Sequence, residues 1–227
     1  MNNNKLRIST MLCLFFSVGW VILMIISTSS ASPVKTIDDA VHSVTDTGGL
    51  FQLTYINAVL VTITATIFYC GLYSYLKSLN RDWSVIGFVF VPVYCLLNIV
   101  VYFSQITVIP RLNSLIVEAE NPEMYRAILG LFVQSWSGSV ISVMNQLAYA
   151  VLAVPSVIFG MLLIKNKKIS VPGGWLLLLN GVCCILGAIG TAANHGMLSS
   201  GSMAGGILFI FALILFACSG IKKRAGK

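Results

Sequence analysis

Long runs of apolar residues, separated by short polar stretches, set the pattern of this sequence. Each run is long enough for a helix that crosses the hydrocarbon core of a membrane, which takes about 20 residues. Membrane-spanning strands alternate in polarity over roughly 10 residues, and these runs do not alternate, so they predict helices. The predicted spans cover residues 10–28, 53–76, 84–108, 138–164, 174–194 and 201–221.

Two of the polar stretches, residues 32–50 and 111–137, also carry helical patterns. In each, apolar residues recur at the spacing of an amphipathic helix. Gly48-Gly49 predicts the end of the first helix. Asn121 and Pro122 predict the start of the second, as its N-cap and first helical residue. We therefore expect two short external helical segments that lie on the membrane surface or fold back onto the bundle.

Prolines bear on the bounds and shape of the third and fourth predicted spans. Pro110 follows the third span and is expected to end it, because proline lacks the backbone N–H that a helix interior needs. Pro92 lies inside the third span, and Pro155 predicts a kink in the fourth.

The composition agrees with a membrane protein. Apolar residues make up 57% of the chain and charged residues 9%, whereas soluble domains are about one-quarter charged. So few charges could not solvate the surface of a 227-residue globule, so lipid must surround most of the chain. The sequence thus predicts an all-α fold: a single transmembrane domain over residues 1–227, a polytopic six-transmembrane-helix bundle with two short external amphipathic helical segments.

Charge is divided between the two ends of the predicted spans. Eleven of the fourteen Lys and Arg residues fall at one end, and six of the seven Asp and Glu residues fall at the other. An excess of Lys and Arg in short loops marks the cytoplasmic face, so this division predicts cytoplasmic N- and C-termini. The basic residues are Lys5, Arg7, Lys77, Arg81, Lys165, Lys167, Lys168, Lys222, Lys223, Arg224 and Lys227, and the acids are Asp38, Asp39, Asp46, Glu118, Glu120 and Glu123.

These charges predict a multi-pass protein of the cell membrane whose cytoplasmic face contacts anionic lipids. The basic residues lie at helix ends rather than on one soluble patch, so we expect no nucleic-acid partner. A cleaved signal peptide is the alternative for the first span, because Ser29-Ser30-Ala31 resembles a small-residue cleavage site. The apolar stretch before it exceeds the usual range of about 7–15 residues, which favours a retained helix.

No Asp, Glu, Lys, Arg or His lies deep in a predicted span. Such residues usually mark proton relays, ion coupling and voltage sensing, so their absence argues against ion-coupled transport, metal or haem cofactors and intramembrane hydrolysis. The six cysteines also lie in apolar runs, where we expect buried thiols without a redox function. We therefore expect no cofactor and no enzyme. An intramembrane enzyme would have to use interfacial residues such as His42, Glu118, Glu123, Arg126 or His195.

Neutral polar residues form stripes in three of the predicted spans. In the third, four polar residues from Tyr94 to Gln105 are spaced by four, four and three residues and so share a helix face. Stripes of this kind can line a pocket for a small molecule or lipid. They can also hydrogen-bond helix to helix, which is their commoner role. The candidate ligand-binding residues are Tyr94, Asn98, Tyr102, Gln105, Asn145, Gln146, Tyr149, Asn180, Thr191 and Asn194.

Residues 147–190 contain a recognisable order of features: Pro155, Gly160, a basic turn, Pro172, Gly173-Gly174-Trp175, a leucine-rich segment and Gly181. This stretch resembles small bacterial multi-pass membrane proteins classed as domains of unknown function. The resemblance implies an inner-membrane location and brings no known activity.

Two function hypotheses follow. The first is non-enzymatic binding or passage of a small apolar or lipid-like molecule through an outward-facing pocket, walled by the polar stripes and covered by the two external segments. The alternative is a membrane interaction subunit, a sensor or an immunity-type factor that acts through a partner protein. Gly201 and Gly205 have the spacing for close helix packing, either within the bundle or in a homo-oligomer.

Overall fold

The structure, a computed structural model, describes residues 3–30, 34, 36–118, 120–167 and 170–225. Over these residues the regular structure is helical, without a strand, and six segments are long and apolar enough to cross a membrane. This confirms the predicted all-α membrane fold. Ala31 of the cleavage motif, and Lys35, Lys168 and Lys227 of the charge pattern, lie outside the described residues. The helices are α1 (Asn3–Ser30), α2 (Ile37–Leu76), α3 (Arg81–Glu118), α4 (Pro122–Phe132), α5 (Val140–Asn166), α6 (Val171–Ala192), α7 (Gly196–Ser199) and α8 (Gly201–Ala225).

The six long helices form a closed ring in which neighbours run antiparallel. α1 packs on α2, α2 on α3, α3 on α5, α5 on α6 and α6 on α8, and α8 returns to α1. Gly71 near the end of α2 lies against Leu6 near the start of α1, and Gly173 at the start of α6 lies against Phe216 of α8. We name the two ends of the bundle by their charge: the α2–α3 and α5–α6 turns lie at the basic end, and α4 and α7 lie at the acidic end.

The external helix predicted over residues 32–50 is present as the first part of α2. Thr36 caps it: the Thr36 hydroxyl accepts a hydrogen bond from the Asp39 N–H (3.1 Å), and the Asp39 carboxylate accepts one from the Thr36 N–H (2.7 Å). The helix breaks at Gly48, where φ is 40° and ψ is −110°, a conformation that glycine adopts far more readily than other residues. The break lets residues 37–47 take a direction of their own.

The prediction that Pro110 ends the third span is wrong, because α3 continues through Pro110 to Glu118. Proline removes one backbone hydrogen bond from a helix interior. Here Ile109 and Leu112, on either side of it, pack into an apolar cluster shared with the first part of α2 and with α4. This packing stabilises the extra turns despite the missing hydrogen bond. Residues 111–118, predicted as external, therefore belong to α3.

The second predicted external helix is α4, with Pro122 in its first turn and Asn121 at its N-cap position. The predicted N-cap position of Asn121 is thus confirmed, although its side chain makes no capping hydrogen bond. α5 and α6 begin at capping serines: the Ser139 hydroxyl accepts a hydrogen bond from the Ser142 N–H (2.9 Å), and the Ser170 hydroxyl accepts one from a backbone N–H of α6 (3.0 Å).

Glycines allow α5, α6 and α8 to approach closely. A Cβ on Gly160 would lie 2.8 Å from a backbone oxygen of α6, and one on Gly201 would lie 2.6 Å from another. Gly201 and Gly205 thus pack within the bundle. All six cysteines are free. Cys13 and Cys184 are buried as predicted, whereas Cys70, Cys95 and Cys183 are only partly buried and Cys218 is exposed.

Candidate functional site

The polar stripe of α3 faces α5. Its four residues, Tyr94, Asn98, Tyr102 and Gln105, are buried, with at most 5% of any of them exposed. The hydroxyls of Tyr102 and Tyr149 are 2.8 Å apart and share a hydrogen bond. The ring centroids of Tyr94 and Tyr149 are 6.4 Å apart. The stripes predicted on the third and fourth spans therefore meet at Tyr149.

Two carboxamides beside these tyrosines have polar atoms without a hydrogen-bond partner. Asn98 is fully buried, and neither of its amide atoms has a partner. The Tyr94 hydroxyl lies near it, one helical turn earlier, but not in hydrogen-bond geometry. Asn145, one turn before Tyr149 on α5, is 8% exposed and has an unpartnered Oδ1. The interface between α3 and α5 thus holds polar groups that the protein itself does not satisfy.

Gln105, at the acidic end of the stripe, holds the loop that follows α4. Its Nε2 donates a hydrogen bond to the Phe132 carbonyl oxygen (2.9 Å), and its Oε1 accepts one from the Gln134 N–H (2.9 Å). The Gln134 side chain accepts a hydrogen bond from the Tyr55 hydroxyl of α2 (2.8 Å). These three bonds, which we name the Gln105 latch, join α2 and α3 to the loop.

The two external helices pack against each other at the acidic end. A Cβ on Gly130 of α4 would lie 3.3 Å from Cδ1 of Ile37 in the first turn of α2. On the exposed side, Arg126 Nη1 and Asp38 Oδ1 form an ion pair of 3.3 Å. The apolar faces of both helices are buried in one cluster with α3. We name this unit the cap: α4, the loop after it, and the part of α2 before Gly48.

The other predicted site residues bond to neighbouring backbone or helices, or lie at the surface. Gln146 of α5 accepts a hydrogen bond from the Ser202 hydroxyl of α8. The Asn180 amide of α6 donates one to a carbonyl oxygen of α8 (2.9 Å). Thr191 bonds to a carbonyl oxygen of its own helix (3.0 Å), and Asn194 is exposed in a left-handed conformation (φ 52°). The stripe of the fifth span therefore joins α6 to α8 rather than facing α3.

Aromatic rings fill the interior of the basic half of the bundle. The rings of Tyr69 and Phe209 are parallel within 2°, with centroids 6.0 Å apart. The Tyr69 hydroxyl shares a hydrogen bond of 2.6 Å with the Ser156 hydroxyl, so its polar group is satisfied within the protein. We name this group of five buried rings the aromatic plug; it consists of Phe68, Tyr69, Phe159, Phe209 and Phe216.

A groove of about 170 Å³ opens between the break in α2 and Pro110 of α3. The ring of Phe51, which lines this groove, lies 4.7 Å from the ring of Tyr55. Tyr55 in turn lies 6.2 Å from Tyr102, between ring centroids. Aromatic contacts therefore lead from the groove to the α3–α5 interface. The groove is lined by Val44, Gly48, Phe51, Gln52, Pro110 and Asn113.

Sequence reasoning missed the contributions of Tyr55, Gln134 and Tyr69. Tyr55, Thr62 and Tyr69 recur every seven residues, which is the spacing of one helix face, and this pattern could have identified α2 as a wall of the interior. No comparable signal predicts the role of Gln134, because its bonding partners are 29 and 79 residues away in the chain.

Comparisons of the chain with protein-family models, curated proteins and solved structures gave no match. The resemblance to small bacterial membrane proteins therefore stays a prediction. Within residues 3–30, 34, 36–118, 120–167 and 170–225, no three His, Cys, Asp or Glu side chains form a group that could hold a metal ion. Function has to be inferred from the geometry of the site itself.

Proposed function

We propose that this protein binds a small apolar or lipid-like molecule between α3 and α5, beneath the cap, and does not change it chemically. The proposal is carried by Asn98, a fully buried carboxamide whose donor and acceptor both lack a partner in the protein. A buried group of this kind costs about 1–3 kcal/mol, which a bound molecule with a polar group would offset. The tyrosine rings around it offer an apolar surface to the rest of the ligand.

The contrast with other buried amides supports a binding role for Asn98. Asn57 of α2 donates a hydrogen bond to the Phe16 carbonyl oxygen of α1 (2.9 Å), and the Nδ2 of Asn180 bonds α6 to α8, although the Asn180 Oδ1 has no partner. Each of these side chains joins two helices, as polar residues in membrane bundles commonly do. Asn98 has no such bond to α5, so helix packing does not account for its amide.

The aromatic plug favours binding over passage. A molecule that reaches Asn98 from the acidic end would next meet Tyr69 and Phe159, whose ring centroids are 6.1 Å apart. Passage would require these packed rings to separate, and close packing resists such a change. The proposed site therefore opens toward the acidic end alone.

In the cell membrane, the proposed orientation places the basic end in the cytoplasm, against anionic lipids, and the site toward the exterior. The groove at the break in α2 is the proposed access route, because aromatic contacts lead from it to the α3–α5 interface. A route through the side of the bundle suits a ligand that already lies in the membrane.

Thermal unfolding of the purified protein in detergent tests this proposal. A panel of lipids and small metabolites is added to the wild type, to Asn98→Leu and to the control variant Asn57→Leu. At a ligand concentration of 100 times the Kd, binding stabilises a protein by about 2.7 kcal/mol, which is a measurable shift. We expect such a shift for the wild type and Asn57→Leu, but not for Asn98→Leu. The proposal fails if no compound shifts the wild type, or if Asn98→Leu responds as the wild type does.

A second candidate, a membrane subunit that acts through a partner protein, is favoured by exposed apolar residues at the acidic end. Val117 near the end of α3 and Met197 of α7 are 82% and 83% exposed. A partner protein that covered this end of the bundle would remove both apolar side chains from water, which is favourable. This candidate predicts a stoichiometric partner after purification in mild detergent, and the loss of that partner in a Val117→Lys, Met197→Lys double variant.

A further inference from the structure

The residues around the Tyr102–Tyr149 hydrogen bond form a local two-fold pattern. α3 carries Asn98 and, four residues later, Tyr102; α5 carries Asn145 and, four residues later, Tyr149. The two helices run antiparallel, so Asn98 lies at the level of Tyr149, and Asn145 lies at the level of Tyr102. The two asparagines thus flank the bonded tyrosines, about 6 Å apart along the helix axis at 1.5 Å per residue.

The unpartnered atoms of this pattern define what a ligand has to supply. They are Nδ2 and Oδ1 of Asn98 and Oδ1 of Asn145. The two tyrosine hydroxyls already bond to each other. An amide oxygen accepts hydrogen bonds and an amide nitrogen donates them, so a complementary ligand carries two donors and one acceptor. A simple ester or ketone has no donor and could satisfy only Asn98 Nδ2.

The site also disfavours a charged ligand. No Asp, Glu, Lys, Arg or His occurs between Asp82 and Arg111, which is the middle of α3, or between Arg126 and Lys165, which includes α5 up to its last turn. The stretch of α2 from Gly48 to Leu76 has none either. An ionic head would be buried here without a counter-charge, which is strongly unfavourable. A neutral head that makes several hydrogen bonds avoids this cost.

We infer that the ligand is an uncharged lipid whose head carries at least two hydrogen-bond donors and one acceptor, of which a monoacylglycerol is the simplest example. The inference rests on the proposed binding function and names the ligand class of the same site. The two hydroxyls of the head donate to the Oδ1 atoms of Asn98 and Asn145, and a hydroxyl oxygen accepts from Asn98 Nδ2. The acyl chain lies along the aromatic rings toward the groove.

Three oleoyl compounds with different heads test the inference: 1-monooleoylglycerol, methyl oleate and oleate. Native mass spectrometry of the protein in detergent measures how tightly each binds. We expect 1-monooleoylglycerol to bind the wild type at least about tenfold more tightly than the other two, since one or two hydrogen bonds are worth about that ratio. Methyl oleate has no donor, and oleate is charged.

Single substitutions test whether Asn98 and Asn145 are responsible for the preference for 1-monooleoylglycerol. Asn98→Leu and Asn145→Leu are each expected to weaken the binding of 1-monooleoylglycerol about tenfold. Asn145→Leu should leave methyl oleate unaffected, whereas Asn98→Leu removes the one hydrogen bond, from Nδ2, that methyl oleate can accept. Asn57→Leu is the matched control: it removes a buried amide whose partner is a backbone oxygen of α1. Without lipid, Asn57→Leu should lower the melting temperature, whereas Asn98→Leu, which removes an unpartnered amide, should not. Circular dichroism verifies that each variant is folded.

The possible outcomes separate the inference from the function on which it rests. Equal binding of 1-monooleoylglycerol and methyl oleate, or a preference for oleate, overturns the inferred head chemistry and leaves the binding function intact. If Asn57→Leu loses binding as Asn98→Leu does, the effect follows from stability, and the assigned contacts are wrong. If the wild type binds none of the three compounds, the inferred ligand class is wrong. The binding function is then tested by the thermal unfolding measurements with the panel of lipids and small metabolites.

Discussion

The two halves of the bundle differ in how they are packed inside and in whether their buried polar groups have hydrogen-bond partners. In the basic half, the aromatic plug is closely packed and the Tyr69 hydroxyl is bonded to Ser156 (2.6 Å). In the acidic half, tyrosines and carboxamides face one another, and the amide of Asn98 has no partner. α2, α3 and α5 take part in both halves. If the proposed function is correct, stability and ligand recognition occupy separate layers of the same helices.

The two halves also differ in how they are closed. Rings of three helices close the basic half directly, through contacts such as Phe68 with Phe216, whose centroids are 5.8 Å apart. The acidic half is closed by an added unit, the cap, which the hydrogen bonds of the Gln105 latch and an apolar cluster shared with α3 hold to the bundle. The cap is thus attached to the ring of helices, whereas the aromatic plug is built from residues of the ring itself.

The largest expected effect comes from a cavity in the plug. Phe159 is fully buried and packs against Gly87 and Tyr69. We expect Phe159→Ala to lower the free energy of unfolding by about 3–5 kcal/mol, because it removes a buried ring and leaves a cavity. Reversible unfolding in mixed detergent micelles measures this change. A loss of less than about 1 kcal/mol would show that the plug does not determine the stability of the basic half.

A smaller effect is expected from the latch. Gln105→Leu removes the hydrogen bond to the Phe132 carbonyl oxygen and one to the Ser104 hydroxyl, and it leaves the Gln134 N–H without its partner. We expect a loss of about 1–2 kcal/mol and faster amide hydrogen exchange in residues 133–139, because the loop is no longer held to α3. Exchange measured by mass spectrometry tests this. Thr107→Val, on the exposed side of the same helix, is the control, and unchanged exchange in Gln105→Leu would contradict the role of the latch.

The smallest effect is expected from the ion pair between the external helices. Arg126 and Asp38 are both at the surface, with 40% and 69% of their side chains exposed. Exposed pairs contribute about 0.2–1 kcal/mol and are screened by salt. Arg126→Gln should therefore lower stability slightly at low salt and not measurably at high salt, in thermal unfolding followed at both concentrations. A large loss that salt does not reduce would mean that the cap depends on Arg126 in another way.

The helices could be predicted from sequence because their signals are local. Apolar runs, capping residues and the Gly48-Gly49 pair act within a few residues of the structure that they specify. Pro110 shows where this reasoning fails: its local effect is to end a helix, yet packing of Ile109 and Leu112 against the cap extends α3 beyond it. That packing depends on segments far away in the chain.

The polar stripes could be located on helix faces, but their partners could not be predicted. Spacing alone places Asn98 and Tyr102 on one face of α3. The order of helices around the ring then decides that this face meets α5, whereas the stripe that contains Asn180 meets α8. Periodicity within one helix contains no information on that order. The bonding of Asn57 and the lack of bonding at Asn98 are likewise visible only in three dimensions.

The closure of the ring has a consequence for biosynthesis. α1 ends at Ser30 and α8 begins at Gly201, yet these two helices pack on each other. At a translation rate of about 5–20 residues per second, roughly 10–30 s separate the emergence of the two from the ribosome. During that interval the side of α1 that will meet α8 faces lipid or an insertion factor. Phe209 and Phe216 of the aromatic plug also belong to α8, so the plug can be completed only after the last helix has been inserted.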